Sequence, residues 1–224
     1  MRNKLPFSLP LVAPSLLAAK KDIILKEIEF ALKEGASLLH FDVMDGHFVP
    51  NISFKREDYL NIKKAFPNSL IDTHLMVENP FKEAIFYAEN KSSIVTIHLE
   101  SAPKEEILKT LKMIKDKGSL CGLSIKPYTP LEDIYPYLEL IDLVLIMSVE
   151  PGKGGQAYIP LATTKIAKLK QKREELNLSF LIEVDGGIND ITGPIALKGG
   201  ADILVAGSYL FNHEDFAYRM KKLL

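Results

Sequence analysis

The chain has 224 residues, 47% hydrophobic and 25% charged, which is ample to bury a core and ordinary for a globular protein. Its 28 Lys and Arg nearly balance 29 Asp and Glu, so no global field points to nucleic acid or to a membrane surface. The lone Cys121 excludes an internal disulfide framework and suits a reducing cytosol. Residues 1–10 include Arg2 and Lys4 but no sustained apolar run, and Pro10 and Pro14 break the stretch that follows. No span reaches membrane length, so the expected location is the cytoplasm.

Short apolar runs predict strands at 11–14, 38–43, 70–75, 94–98, 121–125, 143–147, 181–184 and 203–206. Amphipathic patterns between them predict helices at 21–33, 57–65, 80–89, 104–117, 131–137, 161–176, 191–197 and 214–223. Gly35 and Gly118 follow last turns that carry lysine, as a helix C-terminus favours. Strands alternating with helices imply a parallel sheet with right-handed crossovers. Eight such units and no linker-like composition shift predict one closed (β/α)8 TIM barrel over residues 1–224, ahead of a doubly wound sheet.

In such a barrel, chemistry sits at the C-terminal ends of the strands. Unusual polar residues collect there. Ser15 ends the first strand, His40, Asp42 and Met44 the second, His74 and Met76 the third. His98 and Glu100 end the fourth, Lys126 the fifth, Met147 the sixth, Asp185 the seventh, and Gly207 with Ser208 the eighth. Residues two apart share a strand face, so His40 and Asp42 point one way while Leu39, Phe41 and Val43 point the other. His74 and Met76 likewise share a face, opposite Thr73 and Leu75.

Two imidazoles and one or two carboxylates converging in an apolar mouth suit a divalent metal. Zinc, iron(II), manganese and cobalt all accept these ligands. Either histidine alone reads as an ordinary buried, hydrogen-bonded residue. The pair together with Asp42 and Asp185, at the ends of three strands, reads as a site, because a buried carboxylate without a partner is costly. His47 and His213 read as solvated or capping residues, and nothing forces His98 to be a ligand. Asp72 and Glu183 fall on inward positions one layer below.

Glycine runs form a second constellation: Pro151-Gly152-Lys153-Gly154-Gly155-Gln156 after the sixth strand, Asp185-Gly186-Gly187 after the seventh, and Gly207-Ser208 after the eighth. Converging backbone N–H groups can cradle an anion, and barrels often bind phosphate at the last loops. Each run alone is a common turn. Three on adjacent loops point to a phosphate cradle.

These residues bring a family into view. The chain resembles the ribulose-phosphate 3-epimerases through APSLLA at 13–18, HFDVMDGHFVPN at 40–51, DTHLMVENP at 72–80 and HLE at 98–100. The likeness continues through IKPYTP at 125–130, LVLIMSVEPGKGGQ at 143–156, EVDGGIN at 183–189 and VAGSYLF at 205–211. The resemblance implies a barrel of the ribulose-phosphate-binding type that interconverts D-ribulose 5-phosphate and D-xylulose 5-phosphate in the pentose phosphate pathway. It implies one divalent metal, zinc first, held by His40, Asp42, His74 and Asp185. Asp42 and Asp185 take the family's two acid/base roles, working through a metal-stabilised cis-enediolate. Met44, Met76 and Met147 match its methionines around the metal, and Ser15 and His74 fall among its substrate contacts. Gly155, Gly187, Gly207 and Ser208 match phosphate positions, with Gly152 and Gly154 in the same loop. Relatives assemble as dimers or hexamers, so a homo-oligomer is expected, with a small sugar phosphate as partner.

Four positions depart from the family pattern: Lys153 stands where Phe is usual in the PGFGG loop, Lys55-Arg56 replace a common Gly-Pro, and Lys20 lies near a frequent Asp. None removes a proposed ligand or acid/base. Three rival readings stay open. The same chemistry could act on D-allulose 6-phosphate, and Gly186-Gly187 favours the pentulose only mildly. The related decarboxylase barrels carry a lysine two residues after the second-strand aspartate, where this chain has Met44. A catalytically silent phosphate-binding barrel would be expected to have lost part of the ligand set, which is whole here.

Overall fold

A strand buried on both faces needs apolar residues at nearly every position, and Leu, Ile and Val supply them. The computed structural model describes residues 8–211 and 213–224. Its strands are β1 (Leu11–Pro14), β2 (Leu39–Met44), β3 (Ile71–Met76), β4 (Ile94–His98), β5 (Leu120–Ile125), β6 (Leu143–Met147), β7 (Leu181–Asp185) and β8 (Ile203–Ala206). All pair in parallel in the order β1-β8-β7-β6-β5-β4-β3-β2. A parallel bridge from Ser15 to His40 closes the seam between β1 and β2. The result is a (β/α)8 TIM barrel.

The outer helices are α1 (Ile24–Lys33), α2 (Arg56–Ala65), α3 (Phe81–Glu89), α4 (Lys104–Asp116), α5 (Leu161–Glu175), α6 (Thr192–Gly199) and α7 (Phe216–Leu223). Strands β2 and β3 each lie one residue later than expected from periodicity. The helix expected at 21–33 begins as a 3₁₀ turn, Lys21–Ile23. After β5 the expected helix is a 3₁₀ segment, Leu131–Tyr137, with Pro136 inside it. Proline has no N–H to give, and seven residues are too few to propagate an α-helix. Gly35 and Gly118 close their helices at φ 101° and 89°, as expected.

Alternation along the strands sorts the core into two parts. Leu39, Phe41 and Val43 face outward and pack with helix residues such as Tyr59, Ile62 and Tyr87. Phe41 stacks on Phe54 at 4.7 Å and meets Tyr59 edge-on at 5.4 Å. Burying a ring of this size contributes about 2–3 kcal/mol. Inside, Leu11, Ala13, Leu143, Leu145, Ile203 and Val205 fill the barrel. The lumen is tight. A Cβ on Gly122 would lie 2.2 Å from Thr96 Oγ1, so only glycine fits there.

Residues 1–7 and 212 lie outside the described residues, and most of the segment 1–10 read for a leader goes with them. Among the described residues, no helix is long and apolar enough to cross a membrane.

Candidate active site

The parallel register of β2 and β3 sets His40 beside Asp72, Asp42 beside His74, and Met44 beside Met76. Across the barrel, Met147 on β6 pairs with Asp185 on β7. The alternation that sends Phe41 outward therefore sends His40, Asp42 and His74 into the mouth, and all three are buried. Asp185 joins them with a side chain 18% exposed. Donor atoms of His40, Asp42, His74 and Asp185 all lie within 4.8 Å of one another.

The contacts within this set are close. His40 Nε2 is 3.2 Å from Asp42 Oδ1, and His74 Nδ1 is 3.1 Å from the same oxygen and 3.9 Å from Asp185 Oδ2. Burial alone would push the Asp42 carboxyl up. The neighbouring His40 charge, with both imidazoles close against the carboxylate, outweighs it and holds Asp42 well below the usual carboxylate range. Asp185 moves the other way, up to about 6, through desolvation and the nearby Asp42 charge. Burial works to lower the His40 pKa, but Asp42 and Asp72 together raise it well above the ordinary imidazole value.

This donor set fits a divalent cation. His40 Nε2 is buried and among the described residues makes no hydrogen bond, although it points at a carboxylate. Two nitrogen and two oxygen donors are the ligands that zinc, iron(II), manganese or cobalt take.

A ring of partners holds these side chains in place, and the sequence did not assign those partners. His40 Nδ1 lies 2.6 Å from Asp72 Oδ2, which fixes the ring with Nε2 toward the site. Glu183 Oε1 is 3.7 Å from the same nitrogen. Burial, then the Asp72 charge, raises the Glu183 carboxyl well above its usual range. His98 Nε2 meets His74 Nε2 at 2.8 Å, and His98 Nδ1 faces Glu100 Oε2 at 3.3 Å. Glu100 also accepts from the Lys126 N–H at 2.8 Å and from the Thr129 hydroxyl. Burial lowers the His98 imidazole to about 4. Glu100 falls to about 2 because its hydrogen bonds, that from His98 foremost, outweigh burial. Ser15 Oγ donates to Asp42 Oδ2 at 2.8 Å, so Ser15 orients a carboxylate from the first strand.

Above the donors opens a cavity of about 370 Å³. Met44, Met76 and Met147 form its apolar floor, and Gly152, Gly154, Gly155, Gly187, Gly207 and Ser208 all line its rim with Ser15. The loop after β6 is pinned by two side-chain amides at three carbonyls. Asn51 Nδ2 donates to the Gly152 carbonyl at 2.7 Å, and Gln156 Nε2 to those of Glu150 and Lys153, each at 2.7 Å. Gly187 is at φ 62°, and a Cβ there would lie 2.5 Å from Tyr158 N, so the β6 and β7 loops meet at a position only glycine fits. His47 and His213 are exposed and stand apart from the site.

Of these departures from the family pattern, Arg56 has a visible role. It pairs with Glu83 at 2.8 Å and lies over the Phe86 ring at 4.5 Å, tying α2 to α3. Nothing in the structure explains Lys20.

Residues 11–211 match the model of the "Ribulose-phosphate 3 epimerase family". The ribulose-phosphate 3-epimerase of Aquifex aeolicus (strain VF5) is 39% identical over 213 residues, covering 95% of both chains. That of Bacillus subtilis (strain 168) is 38% identical over 207 residues, covering 91% of this chain and 93% of the relative. Among solved structures, KGPDC from Streptococcus mutans superposes with a TM-score of 0.70 at 13% identity, covering 96% of each chain, which shows a shared fold. The chain belongs to the ribulose-phosphate 3-epimerase family and is an isomerase of the epimerase class.

Proposed function

We propose that the protein interconverts D-ribulose 5-phosphate and D-xylulose 5-phosphate by moving a proton at C3, with Asp42 and Asp185 as its two acid/base groups. The observation that carries this reading is the convergence of two histidines and two aspartates within 4.8 Å beneath a glycine-rimmed cavity. Inverting a carbon next to a ketone requires removing a proton from one face and returning one to the other. Asp42 and Asp185 come from strands separated by β1 and β8, so they can address the substrate from two sides. One would take the proton while the other delivers one to the opposite face. The roles exchange in the reverse reaction.

His40, Asp42, His74 and Asp185 would hold one divalent cation, with zinc as first choice. Bound there, it would offset the negative charge that develops on the substrate oxygens when the proton leaves. The methionine floor keeps the mouth dry and strengthens every charge interaction inside it. Ser15 holds Asp42 in place. Backbone N–H groups at Gly155, Gly187, Gly207 and Ser208, with the loop through Gly152 and Gly154, would take the phosphate.

The same reading covers the setting. One catalytic domain, a homo-oligomer of two or six copies and a place in the pentose phosphate pathway all follow the family. A lone, buried Cys121 thiol supports a cytoplasmic location.

The test is incubation with D-ribulose 5-phosphate in deuterated water, followed by NMR. Formation of D-xylulose 5-phosphate carrying deuterium at C3 is the expected result. No conversion by folded protein, or turnover confined to D-allulose 6-phosphate, would overturn the assignment.

A further inference from the structure

The charges that line the cavity are lopsided. Asp42, Glu150 and Asp185 are acidic, and among the described residues Lys153 is the only cationic one in the lining. A sugar phosphate brings about two further negative charges to this wall. Even with a divalent cation at the four donors, the phosphate end would otherwise meet only backbone dipoles and neutral side chains such as Ser208.

Lys153 is placed to change that. Its carbonyl is held by Gln156 Nε2 at 2.7 Å and that of its neighbour Gly152 by Asn51 Nδ2 at 2.7 Å, so the backbone beneath the side chain is fixed. The side chain itself is exposed, and among the described residues it makes no ion pair or hydrogen bond. Three residues further along, the same loop packs against the Gly187 turn, where a Cβ would meet Gln156 O at 2.9 Å. The lysine therefore rises from the segment that borders the glycine cradle. Lys153 thus stands with its charge unpaired at an acidic cavity.

We infer that Lys153 is a specificity-determining residue that supplies the side-chain cation for the substrate's phosphate group. The inference rests on the sugar-phosphate reading above. An ammonium on a flexible stem serves as a point charge for phosphate and draws anions toward a mouth whose own field repels them. Its contribution belongs to capture of the substrate, so it acts on KM and on the salt dependence of kcat/KM more than on proton transfer.

The experiment compares wild type with Lys153→Met and Lys153→Arg. KM and kcat for D-ribulose 5-phosphate are measured from about 20 to about 300 mM salt, a range over which screening shortens severalfold. Calorimetric titration with inorganic phosphate accompanies each assay. K153M should raise KM roughly three- to tenfold at low salt, with a much smaller change in kcat, and should flatten the salt dependence. It should also weaken phosphate binding, and K153R should restore both. A K153M variant that matches wild type in KM, salt slope and phosphate affinity overturns the assignment of Lys153 alone. Folded wild type that neither turns over the pentulose phosphate nor takes up phosphate overturns the sugar-phosphate reading beneath it.

Discussion

His98 Nε2 stands 2.8 Å from His74 Nε2, so one proton must lie between the two rings. Burial keeps His98 neutral, and its Nδ1 faces Glu100, a carboxylate that can only accept. The His98 proton therefore sits on Nδ1, and His74 donates through Nε2. In a singly protonated His74 ring the lone pair of Nδ1 then faces Asp42 Oδ1 at 3.1 Å, two acceptors that a cation would reconcile.

If this chain of contacts sets the tautomer, His98→Ala should weaken metal binding about 10- to 100-fold. His98→Gln, whose amide oxygen can accept from His74, should recover most of the loss. Competition titrations with a chelator measure both. Equal affinity in all three proteins would remove His98 from this role.

The two aspartates should be separable. Asp42→Asn and Asp185→Asn should each lower kcat by about 10²- to 10⁴-fold. Each variant keeps one carboxyl, so C3 hydrogen exchange with deuterated water should survive from one epimer and vanish from the other. Exchange lost equally from both epimers, in both variants, would argue against two opposed acid/base groups.

Metal affinity should depend on pH with a definite sign. The Asp185 carboxyl in the metal-free protein is raised to about 6, so below that value it carries a proton that a cation must displace. His40, raised above the ordinary imidazole value, adds a second. Affinity should therefore rise with pH between about 5 and 7, by about tenfold per unit for each proton displaced. For stability the sign is the reverse. An acid with a raised folded pKa binds more protons folded than unfolded, so the Asp185 contribution in the metal-free protein is present near pH 4. It is lost as pH rises through about 6. Chelator titrations and metal-free melting curves at several pH values check the two halves, and a flat affinity profile would contradict the first.

The acids below the site should differ in tolerance. Glu183 is held protonated by burial, so Glu183→Gln keeps a neutral donor there and should change stability by less than about 1 kcal/mol. Asp72→Ala strands the buried His40 Nδ1 and should cost about 1–3 kcal/mol while lowering metal affinity. Thermal unfolding of the two variants makes the comparison. Equal melting temperatures would show that Asp72 does not anchor the ring.

The barrel and the four donors were legible because both rest on local alternation. Residues two apart on a buried strand share a face, and His40, Asp42 and His74 obey that rule as strictly as Phe41 does. The partners of those donors were not legible. Whether Asp72 meets His40, or His98 meets His74, depends on the register between neighbouring strands and on ring rotation, which no single strand encodes. The role of Ser15 was hidden for the same reason, since the bridge from β1 to β2 brings it against Asp42. The segment 131–137 carried a helical pattern, but Pro136 and its short length left it as 3₁₀.

The most direct test of a metal-dependent epimerase at these four residues is an assay on D-ribulose 5-phosphate before chelation, after it, and after adding back single divalent metals. Activity lost to the chelator and restored by zinc, iron(II), manganese or cobalt in the wild type, but not in His40→Ala, is the predicted result. Undiminished turnover by fully metal-free protein would contradict it.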